Sequence, residues 1–277
     1  GLFLANGAFF LVSYYFGKEA LVEWAWRIPF LSSVALVIVG LYVRLTLHES
    51  HVFREAEAKG KKVETPVSAV FRNHMKPLIL GTFVMTTTYV LFYIMTAFAQ
   101  VYSKSPVTLS EQGHAMGLGI QPNTFTGFLL ISAIVFGIFI SISGIYADKI
   151  GRRKWLLGTT IGIALLGLCM PLFLTGGTPT SVFLFLIVGM VFMGMTFGPM
   201  AALLPEFFPT EVRYSGASLA YNISSIIGAT VATMVTLKIN AYYGIIGVGI
   251  YLAVNAVLTM IALWLSKETK NIDLTKI

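Results

Sequence analysis

Residues 144–154 read Gly144-Ile145-Tyr146-Ala147-Asp148-Lys149-Ile150-Gly151-Arg152-Arg153-Lys154 and lie between two long apolar runs, 123–146 and 155–175. So short a hydrophilic interval between two such runs reads as a turn joining two membrane helices. An aspartate at a helix C-terminus meets the negative end of the helix dipole and needs a compensating partner. Arg152 is close in sequence, and the positive N-terminus of a neighbouring helix is the other option. Gly151 permits the tight turn, and the three bases after it hold the next helix at the headgroups. Two readings stand side by side: a plain basic turn, or a functional motif of Gly144, Asp148, Gly151, Arg152 and Arg153. Two glycines, an acid and three bases in register favour the second.

Outward from this turn the chain contains eight apolar stretches: 1–16, 27–47, 77–101, 123–146, 155–175, 181–204, 215–238 and 244–265. Apart from the shorter first, each has about the 20 residues a helix needs to cross the hydrocarbon. The runs are continuous rather than alternating, which indicates helices and not barrel strands. Across all 277 residues, 56% are hydrophobic and only 11% charged, and the mean hydropathy is +0.81. A soluble domain carries about 25% charged residues, so a water-soluble globule is excluded, and so is disorder. The expected class is an all-α membrane protein. The single cysteine, Cys169, rules out an intrachain disulfide framework and any CxxC metal site, and no metal or cofactor is expected. Gly158/Gly162 and Gly194/Gly198 have GxxxG spacing, read here as helix packing rather than dimerisation.

The net charge is +7, with 19 Lys and Arg residues. Four of them, Lys18, Arg27, Lys104 and Lys238, lie on one side of the expected layout. The rest lie at Arg44 or in the segments 48–76, 147–154, 205–214 and 266–277. That asymmetry assigns the second set to the cytoplasm, with the C-terminus inside. Nucleic-acid binding is not needed to explain the charge. The layout divides the chain into two helices (1–47), a central cytoplasmic loop (48–76), a six-helix half (77–265) and a cytoplasmic tail (266–277). Gly1 opens directly into an apolar run without an initiator Met or basic leader. The expectation is an N-terminally truncated protein, lacking four spans if the whole is two halves of six. Within the central loop Val67, Val70, Phe71 and His74 follow Thr65-Pro66 at helical spacing. A short amphipathic surface helix and a neutral linker are both open there.

The 144–154 turn resembles the loop motif of the major facilitator superfamily, Gly-x-x-x-Asp-x-x-Gly followed by three bases. Four further stretches share the likeness: Trp26-Arg27-Ile28-Pro29-Phe30, His48-Glu49-Ser50, Pro205-Glu206-Phe207-Phe208-Pro209-Thr210-Glu211-Val212-Arg213 and Lys267-Glu268-Thr269-Lys270. Together they resemble the metabolite:proton symporter family, and among its members uncharacterised bacterial inner-membrane metabolite transporters. The likeness covers essentially the whole chain as helices five to twelve of twelve. It implies that the motif at 144–154 is a gate, acting as a cytoplasmic latch. It also implies a central cavity lined by the helix at 77–101, and substrates such as shikimate, 2-oxoglutarate, citrate, proline or betaine. Arg213 is read either as part of that gate or as an interfacial anchor. Thr210 is a candidate cap for the helix that follows.

On the run 77–101, Thr82, Thr86, Tyr89, Tyr93, Thr96 and Gln100 are spaced 4, 3, 4, 3 and 4. They share one helical face. Such a polar stripe faces protein or water rather than lipid, so it is either a substrate pathway or hydrogen-bonding glue between helices. The candidate pathway residues are Thr86, Tyr89, Tyr93 and Gln100, with Asn222 and Ser225 from a weaker stripe that also holds Ser218. For that second stripe packing glue is the favoured reading. Asn255, with Tyr251 and Thr259, reads as packing. The last six spans carry no Asp, Glu, Lys or Arg at mid-depth, whereas proton coupling normally needs an ionisable group inside the membrane. In the resembling family such carboxylates lie in the first-half helices. The expected function is secondary transport of a small polar metabolite, an organic acid or zwitterion, with protons, by alternating access across the bacterial inner membrane. The expected protein is monomeric when whole, embedded in the lipid bilayer, and not an enzyme. A non-transporting receptor on the same fold is the alternative.

Overall fold

The computed structural model describes residues 2–46 and 65–268. The chain separates into two compact units, 1–59 and 60–277. The remainder of the central loop (47–64) and the tail from 269 lie outside the described residues.

The first unit is a helical pair, α1 (Leu2–Ala20) and α2 (Leu21–Thr46). Gly17 breaks α1 with a φ of 82°, a backbone state open to glycine at little cost. Phe9 and Phe30 join the two helices edge to face, 6.1 Å between ring centroids. The side chains of α2 are exposed almost throughout, Leu36, Val37 and Tyr42 among them. An apolar surface of this extent suits hydrocarbon and not water.

The second unit opens with a short helix, α3 (Pro66–Asn73), whose Val70 is fully buried while Val67 and Phe71 stay exposed. The bundle follows: α4 (Met75–Lys104), α5 (Pro122–Ile150), α6 (Arg152–Leu174) and α7 (Pro179–Glu206), then α8 (213–243) and α9 (245–265). The last two form one continuous helical path, Arg213–Leu265, broken only at Gly244, where φ is 67° and ψ −170°. With that path counted as two spans and the shorter apolar helix Phe3–Gly17 included, the eight expected spans are all present. No strand occurs among the described residues beyond one isolated bridge, Leu109 to Ala115.

The packing follows from where side chains are small. α5 lies along α7, and α6 lies along α9. A Cβ on Gly198 of α7 would collide with Ser143 Oγ and Ile140 O of α5, and one on Gly194 would come within 2.8 Å of Phe136 O. This GxxxG pair does join two helices, whereas a Cβ on Gly158 would meet nothing within 4 Å. On α6 and α9, Gly167 and Gly249 are pressed together backbone to backbone. Pro199 cannot donate to the carbonyl of Met195 four residues earlier. That carbonyl accepts instead from Trp155 Nε1 of α6 at 2.9 Å. The core at the end bearing the 150–152 turn gathers Val70, Leu78, Met85, Leu156, Leu203, Phe208 and Leu263. We call this the basic end.

Candidate functional site

At the basic end α5 and α6 are joined by Gly151 alone, with φ 112°. Because the turn is one residue long, Asp148 in the last turn of α5 and Arg152 at the start of α6 fall four residues apart and meet. Arg152 Nε donates to Asp148 Oδ1 at 2.9 Å. Its Nη1 pairs with Glu206 at the end of α7. The two partners differ in setting: the Asp148 side chain is 63% exposed and that of Glu206 only 12%. Arg213, at the start of α8, donates from Nε to Phe208 O at 3.3 Å and feels the charges of Glu206 and Glu211. Arg153 turns the other way, its Nη2 donating to Trp264 O at 2.8 Å. Its backbone N–H donates to Glu268 Oε1 at 3.4 Å, so a carboxylate stands at the N-terminus of α6, where the helix dipole favours it.

The predicted gating residues therefore form two groups. Asp148, Arg152 and Arg213 gather with Glu206, while Arg153 tethers α6 to the end of α9 through Trp264 and Glu268. Gly144 packs no side chain of its own; its backbone nitrogen is one of the atoms that crowd Gly198. Glu206 and Glu268 are the residues that sequence reading passed over as site residues. Both lay inside motifs that were quoted. The available signal was that each stands at the end of a long apolar run. Thr210 does not cap α8: that helix starts at Arg213 after Val212, with no side-chain cap.

The stripe on α4 divides at Tyr89. Below it, Thr82 and Thr86 are buried. Thr86 Oγ1 donates to Thr82 O at 2.9 Å and lies 3.4 Å from Ser224 Oγ of α8, and Ser224 donates to Thr82 O at 2.6 Å. Thr86 is thus placed as interhelical glue, not on an open pathway, because α8 packs directly over it. Thr259 of α9 ties in the neighbouring face, accepting from Thr87 Oγ1 at 2.8 Å and donating to Phe83 O. From Tyr89 onward Tyr89, Tyr93, Thr96 and Gln100 are all part-exposed. Tyr89 meets Tyr221 of α8 edge to face at 5.6 Å, and its hydroxyl interacts with those of Tyr221 and Ser225. Tyr221 meets Phe197 of α7 at 6.4 Å, which meets Phe136 of α5 at 5.8 Å. One aromatic chain thus crosses α4, α8, α7 and α5, at mid-length on α4 and α5 and nearer the basic end on α7 and α8. Asn222 is exposed beside it, its Nδ2 donating to Ser218 O at 2.8 Å. Gln100 donates to Thr96 O and accepts from Lys104 Nζ, both at 3.2 Å. Asn255 donates to Tyr251 O within its own helix, in keeping with packing.

Phenol and serine hydroxyls both donate and accept, and tyrosine rings add a polarisable face. The central cluster can therefore hold a small polar molecule without a fixed charge. Among the described residues no three His, Cys, Asp or Glu groups are arranged to hold a metal ion.

Comparison with known proteins bears on the family. The family model described as Major Facilitator Superfamily matches residues 2–233 and 118–275. A Haemophilus influenzae protein named for metabolite transport is 73% identical over 277 residues, 100% of this chain and 63% of its own length. The inner membrane metabolite transport protein YhjE of Escherichia coli is 46% identical, over 98% of this chain and 60% of its own length. The proline/betaine transporter of Salmonella typhimurium is 29% identical, over 98% of this chain and 54% of its own. The chain thus spans about three-fifths of the length of its nearer relatives among these. No solved structure matches it. These relatives are named for transport and not for catalysis. By the family match over most of its length, the chain belongs to the Major Facilitator Superfamily.

Proposed function

We propose that this chain is the greater part of a secondary transporter that carries a small polar metabolite across the bacterial inner membrane by alternating access, with protons as the coupling ion. The observation that carries the reading is the group of part-exposed Tyr89, Tyr93, Tyr221 and Ser225 with exposed Asn222, at mid-length on α4 and in the half of α8 nearer the basic end, backed by Phe197 and Phe136. Transporter sites are expected near the midplane, at the interface between repeats. The printed names of the relatives support metabolite transport and an inner-membrane location. None of those names gives weight to a receptor.

In this reading Tyr89 and Tyr93 contact the substrate, with Asn222 and Ser225 beside them. Arg152, with Asp148 and Glu206, latches the cytoplasmic end while the transporter opens outward. Arg153 and Arg213 hold helix ends around that latch. The basic end faces the cytoplasm by its charge excess. In the second unit every described carboxylate (Glu111, Asp148, Glu206, Glu211, Glu268) lies at a helix end or in a loop. We therefore place the proton-binding group outside residues 65–268. The test uses the full-length protein in vesicles with an imposed pH gradient, offered proline, betaine and a dicarboxylate as separate labelled substrates. Gradient-dependent uptake of one class, weakened by Tyr89→Phe, supports the proposal. Uptake of a class that ignores the gradient refutes the coupling, and a Tyr89→Phe protein with unchanged KM refutes the site.

A further inference from the structure

The α4 stripe does not stop at Gln100. Four residues on, the same face carries Lys104, the last residue of the helix. A lysine at a membrane-helix end ordinarily reaches out to water; Lys104 is only part-exposed. Its ammonium bends back to a place beside Gln100, 3.2 Å from the amide oxygen, and lies over the ring of Phe125, 5.5 Å from its centroid. Phe125 is fully buried. Among the described residues no carboxylate forms an ion pair with Lys104.

The usual structural reason for a lysine at a helix C-terminus is to satisfy the last carbonyls. Here that task is already done. Tyr102 O, Ser103 O and Ser105 O accept from the backbone N–H groups of Leu118, Ile120 and Gly119, because the loop 105–121 folds back over the helix end. An ammonium has three donors. One goes to Gln100, the Phe125 face supports the charge, and among the described residues no carboxylate pairs with the rest. The other charged groups described at this end are Glu111 in the loop, Lys238 on α8 and, as a titratable group, His114. Both Glu111 and Lys238 are exposed.

We propose that Lys104 is the charge-selecting residue at the outer mouth of the pathway, drawing in the carboxylate or other anionic group of the transported molecule and handing it down past Gln100 to the tyrosines. This rests on the reading of the upper stripe as a pathway. It assigns the substrate an anionic group, which the uncharged central cluster alone does not.

The test uses purified full-length protein in detergent, so that both ends are accessible, with Cys169→Ser and a reporter Thr96→Cys. The probes are two small thiosulfonates, one ending in a sulfonate and one in a trimethylammonium. Lys104 lies two turns, about 12 Å, beyond position 96. A unit charge at that distance in a water-like medium changes each reagent's rate about twofold, in opposite directions. The ratio of anionic to cationic rates at low salt is therefore expected to fall about threefold in Lys104→Gln, to persist in Lys104→Arg, and to shrink in ~0.5 M salt. A reporter that reacts readily with both reagents at a ratio indifferent to Lys104→Gln overturns the role of Lys104 and leaves the pathway standing. An equal loss of both rates in Lys104→Gln, without recovery in Lys104→Arg, also overturns it, because the residue then acts through structure. A reporter inert to both reagents with Lys104 in place overturns the pathway and this proposal with it.

Discussion

Arg152 has two carboxylate partners, and the structure ranks them. The Glu206 side chain is 12% exposed and that of Asp148 63%. A pair as exposed as Arg152–Asp148 contributes only about 0–1 kcal/mol. A charge-assisted bond to a mostly buried carboxylate contributes roughly 1.5–3 kcal/mol, and truncating one partner leaves the other charge desolvated and unpaired. Arg152→Ala and Glu206→Gln should therefore shift the balance between inward- and outward-open forms roughly 10- to 150-fold, the equivalent of those 1.5–3 kcal/mol. Asp148→Asn should shift it by no more than about 5-fold. The assay is thiol accessibility of single cysteines on the two faces of the full-length protein, without substrate, read for each variant and for the pairs Arg152→Ala with Glu206→Gln and Arg152→Ala with Asp148→Asn. Strong coupling in the first pair and near-additivity in the second is the expected pattern. Equal effects of Asp148→Asn and Glu206→Gln would refute the ranking by burial. No effect from any of them would reduce the whole group to a basic turn that sets topology.

Other consequences can be checked in the same protein. Tyr89→Phe should raise KM roughly 2- to 12-fold through the loss of one hydrogen bond of about 0.5–1.5 kcal/mol, while Thr86→Val should lower thermal stability and leave KM unchanged. Gly198→Ala should destabilise by about 1–3 kcal/mol, because the new methyl has backbone and Ser143 Oγ in its way; Gly144→Ala, with open space around it, should be near neutral in a thermal-shift measurement. Trp155→Phe should cost about 1 kcal/mol in the presence of Pro199. Most of that loss should disappear in Pro199→Ala, where Met195 O regains its own helical donor.

The spans and the turn at Gly151 were legible in the sequence because both rest on local rules: a continuous apolar run of fixed length, and one residue able to turn the chain. Asp148 and Arg152 were legible for the same reason, being four residues apart. Glu206 was not, since its partner Arg152 is 54 positions away and nothing local announces the pairing. The stripe was legible as a face but not in its division. Helical periodicity cannot tell which turns of that face α8 covers, and that decides why Thr86 is glue while Tyr89 is open. The same limit hid Lys104. The stripe was read within the apolar run, and the charge just past its end was counted only toward the asymmetry between the two sides.

The carboxylate of Glu268 meets the backbone of Arg153 across 115 positions of chain. During synthesis the α5–α6 hairpin is complete long before Glu268 emerges. Until then the first amides of α6 are without that partner. The residues just past α9 thus act as a clasp: the hairpin made early is fastened only once Glu268 has emerged. A ribosome stalled a few residues short would leave a half that is inserted but unfastened, and a cell's membrane proteases could recognise it by that open helix end.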